Sequence, residues 1–234
     1  MIKIYGKNCI NEAIRSKASI QKIFILDTQV KKDPNFVDKI KKLKITLEVC
    51  NKQKMDSIFG ISHQGYGAYR EDYVIYDEGI INSIACDKKR IVILDGIMDP
   101  HNLGAIIRSV DAFGFDAVIL PKNRSCSVTE TVAHVSTGAI EYVKVAYVNS
   151  LSSFVEKLKK NDYWICGTDA SGTTLMKDID SNLNLAIIIG SEGFGMSKTL
   201  VKSCDYLITI PMFGHVNSLN ASVSAGIVLQ NFSK

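Results

Sequence analysis

A glycine-rich loop with one acidic residue, GSEGFG at Gly190–Gly195, is the stretch best suited to hold a ligand. It follows the apolar, β-branched run Leu185–Gly190, which predicts a buried strand, and its glycines leave the backbone open to a ligand. The glycine order is not the GxGxxG of a dinucleotide site, and the loop is no GxxxxGK phosphate loop. Because Glu192 would repel phosphate, the loop favours an unphosphorylated ligand and suits a cationic one.

A second group of polar residues lies within Leu94–Leu120, where a predicted strand gives way to a helix. Asp99 and Pro100 break the chain after the strand, and Asn102 is expected to cap the helix that follows. Arg108 comes later in that helix, near enough to the strand ends to contact a bound anion. A surface ion pair is the more ordinary role for such an arginine, so Arg108 alone does not identify a site.

A third group, Asn217–Ser222, brings four small polar residues to the start of an otherwise apolar helix. Helix capping accounts for one or two of them. Buried polar groups need hydrogen-bond partners, so the remaining side chains indicate a role other than capping.

The elements that must position these residues alternate between strands and helices. Residues 1–76 predict a small α/β domain with strands at 2–5, 20–26 and 45–49 and a closing segment at 65–76. The polar residues 77–89 are expected to form a linker. Residues 90–234 predict a parallel sheet covered by helices, with its ligand site at the carboxyl ends of the strands.

The basic residues are concentrated in the first part of the chain. Residues 1–70 contain 14 Lys+Arg against 6 Asp+Glu, whereas the whole chain has a net charge of only +4. This distribution favours a polyanion such as RNA as the partner of the N-terminal domain, although a lysine-rich solvated surface would look the same. The candidate RNA contacts there are His63, Gln64, Tyr66 and Arg70, although a turn residue is the more ordinary role for a histidine such as His63.

Cysteine spacing and hydropathy exclude other classes of protein. The cysteines are far apart and contain no CxxC pair, so we expect free, mostly buried thiols and no metal site; they are Cys9, Cys50, Cys86, Cys126, Cys166 and Cys204. No apolar run approaches the roughly 18 residues of a membrane helix, and the N-terminus has no apolar signal core. We therefore expect a cytoplasmic protein.

Together the three groups resemble the SpoU/TrmH RNA ribose 2′-O-methyltransferases of the SPOUT superfamily. The matching residues are Asp99, Pro100, Asn102, Gly104, Ala105 and Arg108, then Gly190, Glu192, Gly193 and Gly195, then Ser218, Leu219, Asn220, Ser222 and Gly226. The resemblance covers about residues 90–232. Residues 1–76 are similar, over a shorter match, to the L30e-like substrate-binding domain that precedes the catalytic domain in ribosomal-RNA members.

The resemblance implies a C-terminal trefoil knot, a homodimer formed through the catalytic domain, and S-adenosylmethionine as the methyl donor. The implied cofactor-binding residues are Thr168, Gly190, Glu192, Gly193, Ile210, Met212, Ser218 and Leu219. The implied catalytic residues are Asn102, Arg108, Glu192, Ser218 and Asn220. The family proposal makes Arg108 a base, but a guanidinium stays charged, so we favour a clamp on the phosphate of the target nucleotide.

The leading hypothesis is an RNA 2′-O-ribose methyltransferase that acts on a guanosine of 23S rRNA, because the N-terminal domain is basic. A transfer-RNA substrate is the first alternative. The second is an RNA-binding ribosome-assembly factor that keeps the fold without turnover, which the intact set of polar residues argues against. An NAD-dependent enzyme does not fit the glycine order.

Overall fold

The structure, a computed structural model, describes residues 1–84, 88–215 and 218–233 of the chain. The elements of the first part are β1 (Ile2–Tyr5), α1 (Lys7–Arg15), β2 (Ile20–Leu26), α2 (Asp27–Lys32), α3 (Pro34–Lys42), β3 (Thr46–Cys50), α4 (Lys52–Phe59) and β4 (Tyr66–Arg70). Those that follow are β5 (Ile75–Tyr76), β6 (Arg90–Asp95), α5 (Pro100–Ala112), β7 (Ala117–Pro121), α6 (Glu130–Val135), β8 (Lys144–Val148), α7 (Leu151–Lys159), β9 (Tyr163–Thr168), β10 (Asn184–Gly190), α8 (Lys198–Ser203), β11 (Tyr206–Ile208) and α9 (Ala221–Asn231). Short 3-10 helices occupy Glu78–Ser83, Ala139–Glu141 and Met176–Asp178.

The chain divides into two compact units, here called the N-terminal unit (residues 1–73 and 128–142) and the C-terminal unit (residues 74–127 and those from 143 onward). The N-terminal unit is built on a sheet of order β1-β4-β2-β3. Strands β2 and β3 run parallel, whereas β4 is antiparallel to both β1 and β2. One face of this sheet is packed by the buried side chains Phe24, Cys50, Met55 and Phe59.

The segment 128–142, assigned by its sequence position to the catalytic domain, packs within the N-terminal unit. The ring of His134 stacks on Tyr5 with the centroids 4.2 Å apart. The Cys9 thiol donates a hydrogen bond to the carbonyl of Ala133 at 3.5 Å. The domain boundary predicted from the sequence therefore differs from the physical one, because tertiary contacts draw this segment back onto β1 and α1.

The C-terminal unit contains a sheet of order β11-β9-β10-β6-β7-β8-β5 in which every pairing is parallel. Its inner strands are almost entirely apolar and buried, as strands covered on both faces require. The parallel-sheet α/β class expected from the alternation of elements is confirmed.

The predicted linker at 77–89 is in large part packed against the C-terminal unit. Strand β5 pairs with β8, and the 3-10 helix that follows it buries Ile80 in the core, where Ile84 also lies. Apolar burial at the two isoleucines explains why this stretch is not a free linker, despite its polar composition. Residues 85–87, which include Cys86, lie outside the described residues.

Helix α9 is held at its carboxyl end by Arg90, a side chain only 1% exposed at the start of β6. The Nε of Arg90 donates to the carbonyl of Phe232 at 3.3 Å, and its two Nη atoms donate to the carbonyls of Leu183 and Ser181. Since α9 begins at the polar residues of the third sequence group, this anchor helps to set where those residues lie.

Candidate active site

The candidate site lies at the carboxyl ends of three adjacent strands, β9, β10 and β6. Gly190, the last residue of β10, pairs in register with Asp95, the last residue of β6. Thr168 ends β9, and its hydroxyl donates to the carbonyl of Ile188 on β10 at 3.1 Å. Parallel strands bring their following loops to one edge of a sheet, so the three loops converge where such sheets bind ligands.

The glycine-rich loop after β10 is a closed turn. The backbone N–H groups of Ser191 and Gly195 each donate to the other's carbonyl, at 3.1 and 2.9 Å. A Cβ at Gly190 would lie 2.3 Å from the carbonyl carbon of Gly195, so no larger residue fits there without moving the turn. Residues 192–195 of the turn are exposed, and Gly193 has a φ of +86°.

The carboxylate of Asp95 holds the far side of this loop. Its Oδ2 accepts a hydrogen bond from the backbone N–H of Ser197 at 2.7 Å, although the two residues are 102 positions apart. Sequence reasoning missed Asp95 as a site residue. The available signal was an acidic residue at the end of an otherwise apolar predicted strand.

Helix α5 begins earlier than predicted, and its cap is Asp99 rather than Asn102. The carboxylate of Asp99 accepts from the N–H of His101 at 3.0 Å, and Pro100 occupies the first turn. Proline is favoured there because its ring fixes φ and the missing N–H has no partner in the helix. The expectation that Asn102 caps the helix was wrong, and its amide is free for another role.

The side-chain amide of Asn102 instead accepts a hydrogen bond from Asn220, the N-cap residue of α9. The Nδ2 of Asn220 donates to Oδ1 of Asn102 at 3.0 Å and to Oε2 of Glu192 at 3.3 Å. Its Oδ1 accepts from the backbone N–H and the hydroxyl of Ser222, at 2.9 and 2.6 Å. One amide thus joins all three sequence groups, and its orientation is determined by the cap at one end and the carboxylate at the other.

The other predicted site residues of the C-terminal unit differ in exposure. Arg108, Met212 and Ser218 are exposed, whereas Ile210 and Leu219 are partly buried. Arg108 takes part in none of the ion pairs found among the described residues. A guanidinium without a carboxylate partner is available to an anionic ligand. Asn217 is outside the described residues.

In the N-terminal unit, Tyr66 and Arg70 are buried, 5% and 7% exposed. The Tyr66 hydroxyl donates to Oδ2 of Asp33 at 2.8 Å, and burial, together with this carboxylate, raises the pKa of Tyr66 to about 12. Nη1 of Arg70 pairs with Oε1 of Glu141 at 2.5 Å. Both polar groups serve the packing of the unit, so the expectation that they contact RNA directly is corrected.

His63 is likewise inside the N-terminal unit, 4% exposed. Its Nε2 lies 2.9 Å from Oδ1 of Asp56, and its Nδ1 accepts from the backbone N–H of Gly65 at 2.7 Å. Sequence reasoning offered a turn residue as the alternative role of His63, and the geometry supports that alternative. Gln64 is the one member of the predicted RNA-contact set in this unit whose side chain is exposed.

The cysteines in the described part of the chain are free thiols, as expected. Burial raises the pKa of Cys9 and of Cys166 to about 12, so both remain protonated at neutral pH and are poor nucleophiles. No cluster of three or more metal-ligating side chains occurs among the described residues. In the same residues, no helix is long and apolar enough to span a membrane.

A parallel sheet with a glycine-rich loop and an amide network at its carboxyl edge defines an α/β enzyme with a small-molecule site. The family is shown by sequence. Residues 89–230 match the SpoU rRNA methylase family and residues 3–71 match the RNA 2′-O ribose methyltransferase substrate-binding family. The chain belongs to the SpoU rRNA methylase family.

Relatives and solved structures agree with this assignment. A Staphylococcus saprophyticus protein assigned to the TrmH family of tRNA/rRNA methyltransferases is 45% identical over 232 residues, covering 97% of this chain and 93% of its own. The SpoU methyltransferase AviRb of Streptomyces viridochromogenes, solved with AdoMet, superposes with a TM-score of 0.82 at 21% identity, covering 98% and 88% of the two chains. An AdoMet-bound rRNA methyltransferase of Sinorhizobium meliloti superposes with a TM-score of 0.79 at 21% identity. The match covers 99% of this chain and 86% of that one.

Proposed function

We propose that this protein transfers a methyl group from S-adenosylmethionine to a ribose 2′-hydroxyl of RNA. The observation that carries the proposal is the hydrogen-bonded set Asn102, Asn220 and Glu192, which joins the family's three motifs at one edge of the parallel sheet. The transfer forms an O–CH₃ bond, breaks the S–CH₃ bond and releases the hydroxyl proton.

The residues present suit this cofactor, which when bound supplies an electrophilic methyl on a positively charged sulfur. The turn at Gly193 and Gly195 offers bare backbone, since a Cβ at either position would meet nothing within 4 Å. Glu192 supplies a negative charge that matches the sulfonium and would disfavour a phosphorylated ligand. The partly buried Ile210 and Leu219 supply apolar surface for the adenosine. Thr168, Gly190, Met212 and Ser218 complete the proposed cofactor site.

Asn102, Arg108, Ser218 and Asn220 handle the acceptor in this proposal. Arg108 is exposed and can bind the target's phosphate through two N–H groups at once, which a lysine cannot do. In-line displacement gains much of its rate from alignment of donor and acceptor, so a rigid network is an advantage. The bond from Asn220 to Asn102 provides that rigidity across two helices.

The substrate in this proposal is a guanosine of 23S rRNA. Residues 3–71 belong to the substrate-binding family, and this region contains most of the excess positive charge. The solved rRNA methyltransferase of Sinorhizobium meliloti resembles the chain over both units, covering 99% of it. A transfer-RNA target is the competing proposal, because the S. saprophyticus relative is assigned to a family of methyltransferases that act on tRNA or rRNA.

The knot and the dimer are part of the same proposal. In this proposal the C-terminal unit forms the SPOUT trefoil knot, and the hydrogen bond from Asn220 to Glu192 is consistent with that topology. Val223 and Ile227 lie one turn apart on α9 and are 49% and 40% exposed. An apolar stripe on the helix that carries the site supports a homodimer formed through the C-terminal unit. The protein works in the cytoplasm, where its RNA substrates are.

The proposal is tested with purified protein, labelled S-adenosylmethionine and unmodified transcripts of 23S rRNA and of a tRNA set. Nuclease digestion and mass spectrometry should find one 2′-O-methylguanosine in the 23S transcript and none in the tRNAs. Methylation of a tRNA, and not of the 23S transcript, would show that the substrate is a transfer RNA. Absence of S-adenosylmethionine binding by calorimetry would reject the enzyme and favour a non-catalytic RNA-binding factor.

A further inference from the structure

The loop between α4 and β4 holds a non-glycine residue in a backbone conformation that L-amino acids avoid. Gln64 has a φ of +55° and Gly65 a φ of +86°. The glycine adopts this region without strain, whereas a glutamine does not. The Gln64 side chain is nevertheless exposed, so burial of its own side chain does not explain why the strain is kept.

The residues on both sides of Gln64 fix its backbone. The carbonyl of His63 accepts from the N–H of Tyr66 at 3.0 Å, and the carbonyl of Gly65 accepts from the N–H of Leu26 at 2.9 Å. A Cβ at Gly65 would lie 2.6 Å from Cγ of Gln29, so the chain passes close to α2 here. The loop is therefore a built feature that presents one amide side chain to solvent.

His63 is the buried support of this loop, and its hydrogen bonds determine where its proton is. Nδ1 accepts from the N–H of Gly65 at 2.7 Å, and a ring nitrogen can accept only when it carries no proton. The proton must then be on Nε2, which donates to Oδ1 of Asp56 on α4 at 2.9 Å. The other carboxylate oxygen of Asp56 lies 4.0 Å from Nζ of Lys52 on the same helix.

We propose that Gln64 is a specificity-determining contact to RNA and that His63 is its positioning residue. The inference rests on the proposed function, since it names how the N-terminal unit reads the same substrate. A carboxamide offers one acceptor and two donors, which match the edge of an unpaired base or a ribose 2′-hydroxyl in an RNA loop. The hydrogen bonds of His63 and Gly65 fix the backbone at Gln64, so the amide is presented from a fixed point and less backbone freedom is lost on binding.

The first experiment separates the amide from the backbone strain. Gln64→Gly keeps the left-handed conformation and removes only the side chain, so its melting temperature should rise while its KM for a 23S rRNA transcript rises at least fivefold and kcat stays within twofold. The matched control is Asp162→Gly, at an exposed residue with a φ of +60°. This control should also melt higher, with an unchanged KM.

The second experiment tests the role of His63. In His63→Asn an amide oxygen replaces Nδ1 as the acceptor for the N–H of Gly65, so its KM for the transcript should stay within twofold of the wild-type value, whereas His63→Leu, which leaves that N–H without an acceptor, should raise KM at least threefold with kcat unchanged. A wild-type KM in Gln64→Gly overturns the RNA contact, whether or not His63→Asn folds. Filter binding measures the affinity for the transcript without turnover, so it tests the RNA contact independently of the proposed function. The proposed function fails if the wild type transfers no methyl group.

Discussion

Nδ2 of Asn220 donates to Oδ1 of Asn102 at 3.0 Å, a bond between residues 118 positions apart that joins the N-cap of α9 to the first turn of α5. The same amide group donates to Glu192. A single side chain therefore connects α5, the glycine-rich turn and α9.

Loss of this bond should cost turnover more than stability. Asn102→Ala removes a partly exposed hydrogen bond worth about 1 kcal/mol, so the melting temperature should change little. Turnover should fall by roughly 10- to 100-fold, because the network aligns the reacting groups and misalignment is expensive. Asn231→Ala, an exposed asparagine at the other end of α9, is the control and should keep full activity. Wild-type turnover in Asn102→Ala would contradict the positioning role.

The glycine at the end of β10 should tolerate no side chain. In Gly190→Ala the new Cβ would lie 2.3 Å from the carbonyl carbon of Gly195 and 2.5 Å from the N of Met196, so the turn must move. Calorimetry should show at least a tenfold loss of S-adenosylmethionine affinity. At Gly214 a Cβ would meet nothing within 4 Å, so Gly214→Ala should bind the cofactor normally. Equal S-adenosylmethionine affinities in Gly190→Ala and Gly214→Ala would show that this turn is not part of the cofactor site.

Arg108 should be irreplaceable by lysine in the chemical step. Arg108→Lys keeps the positive charge and much of the RNA affinity, but an ammonium cannot grip a phosphate with two parallel N–H groups. We expect kcat to fall by about two orders of magnitude, with KM changed less than threefold, in single-turnover assays. Arg15→Lys, at an arginine that pairs with Glu12, should behave as the wild type. Equal turnover of Arg108→Lys and the wild type would exclude the clamp.

The buried thiols should resist alkylation and should make stability fall at high pH. The pKa of Cys9 and of Cys166 is raised by burial from 9.0 to about 12, so iodoacetamide at pH 8 should modify neither until the protein is unfolded. The unfolded thiols ionise near pH 9 while the folded ones do not. Their contribution to stability is therefore complete below pH 9 and is lost as the pH rises through about 12.

Peptide mass spectrometry after labelling identifies the modified residues, and urea unfolding at pH 8 and pH 10.5 measures the loss of stability. The midpoint should be lower at pH 10.5, and the difference should shrink in Cys166→Ala. Rapid labelling of native Cys166 would show that its surroundings are open.

The exposed apolar residues of α9 should be covered by a second copy of the chain. Ile227→Arg places a charge on that stripe and should convert a dimer into monomers in sedimentation velocity runs at micromolar concentration. Ile61, 89% exposed in the N-terminal unit, provides the control, and Ile61→Arg should remain dimeric. A wild-type protein that sediments as a monomer would refute the proposed dimer.

Local sequence was sufficient for most of the elements. The bounds of β1 and β2 agree with the prediction, because short apolar strands are determined by neighbouring residues. Helix α2 was missed, since it buries none of its residues and shows no apolar period. The glycine-rich loop and the parallel sheet were likewise readable, from three glycines, one glutamate and the alternation of elements.

Burial and the long-range contacts were decided by the tertiary structure. The sequence alone marked Asn102, Glu192 and Asn220 as polar residues near strand ends, but not that one amide joins them, because that depends on how distant loops meet. It marked His63, Tyr66 and Arg70 by chemical type, whereas the folded chain buries all three and pairs Arg70 with Glu141, 71 positions away. A side chain's type is local, but whether it faces solvent or core depends on neighbours that only the folded chain supplies.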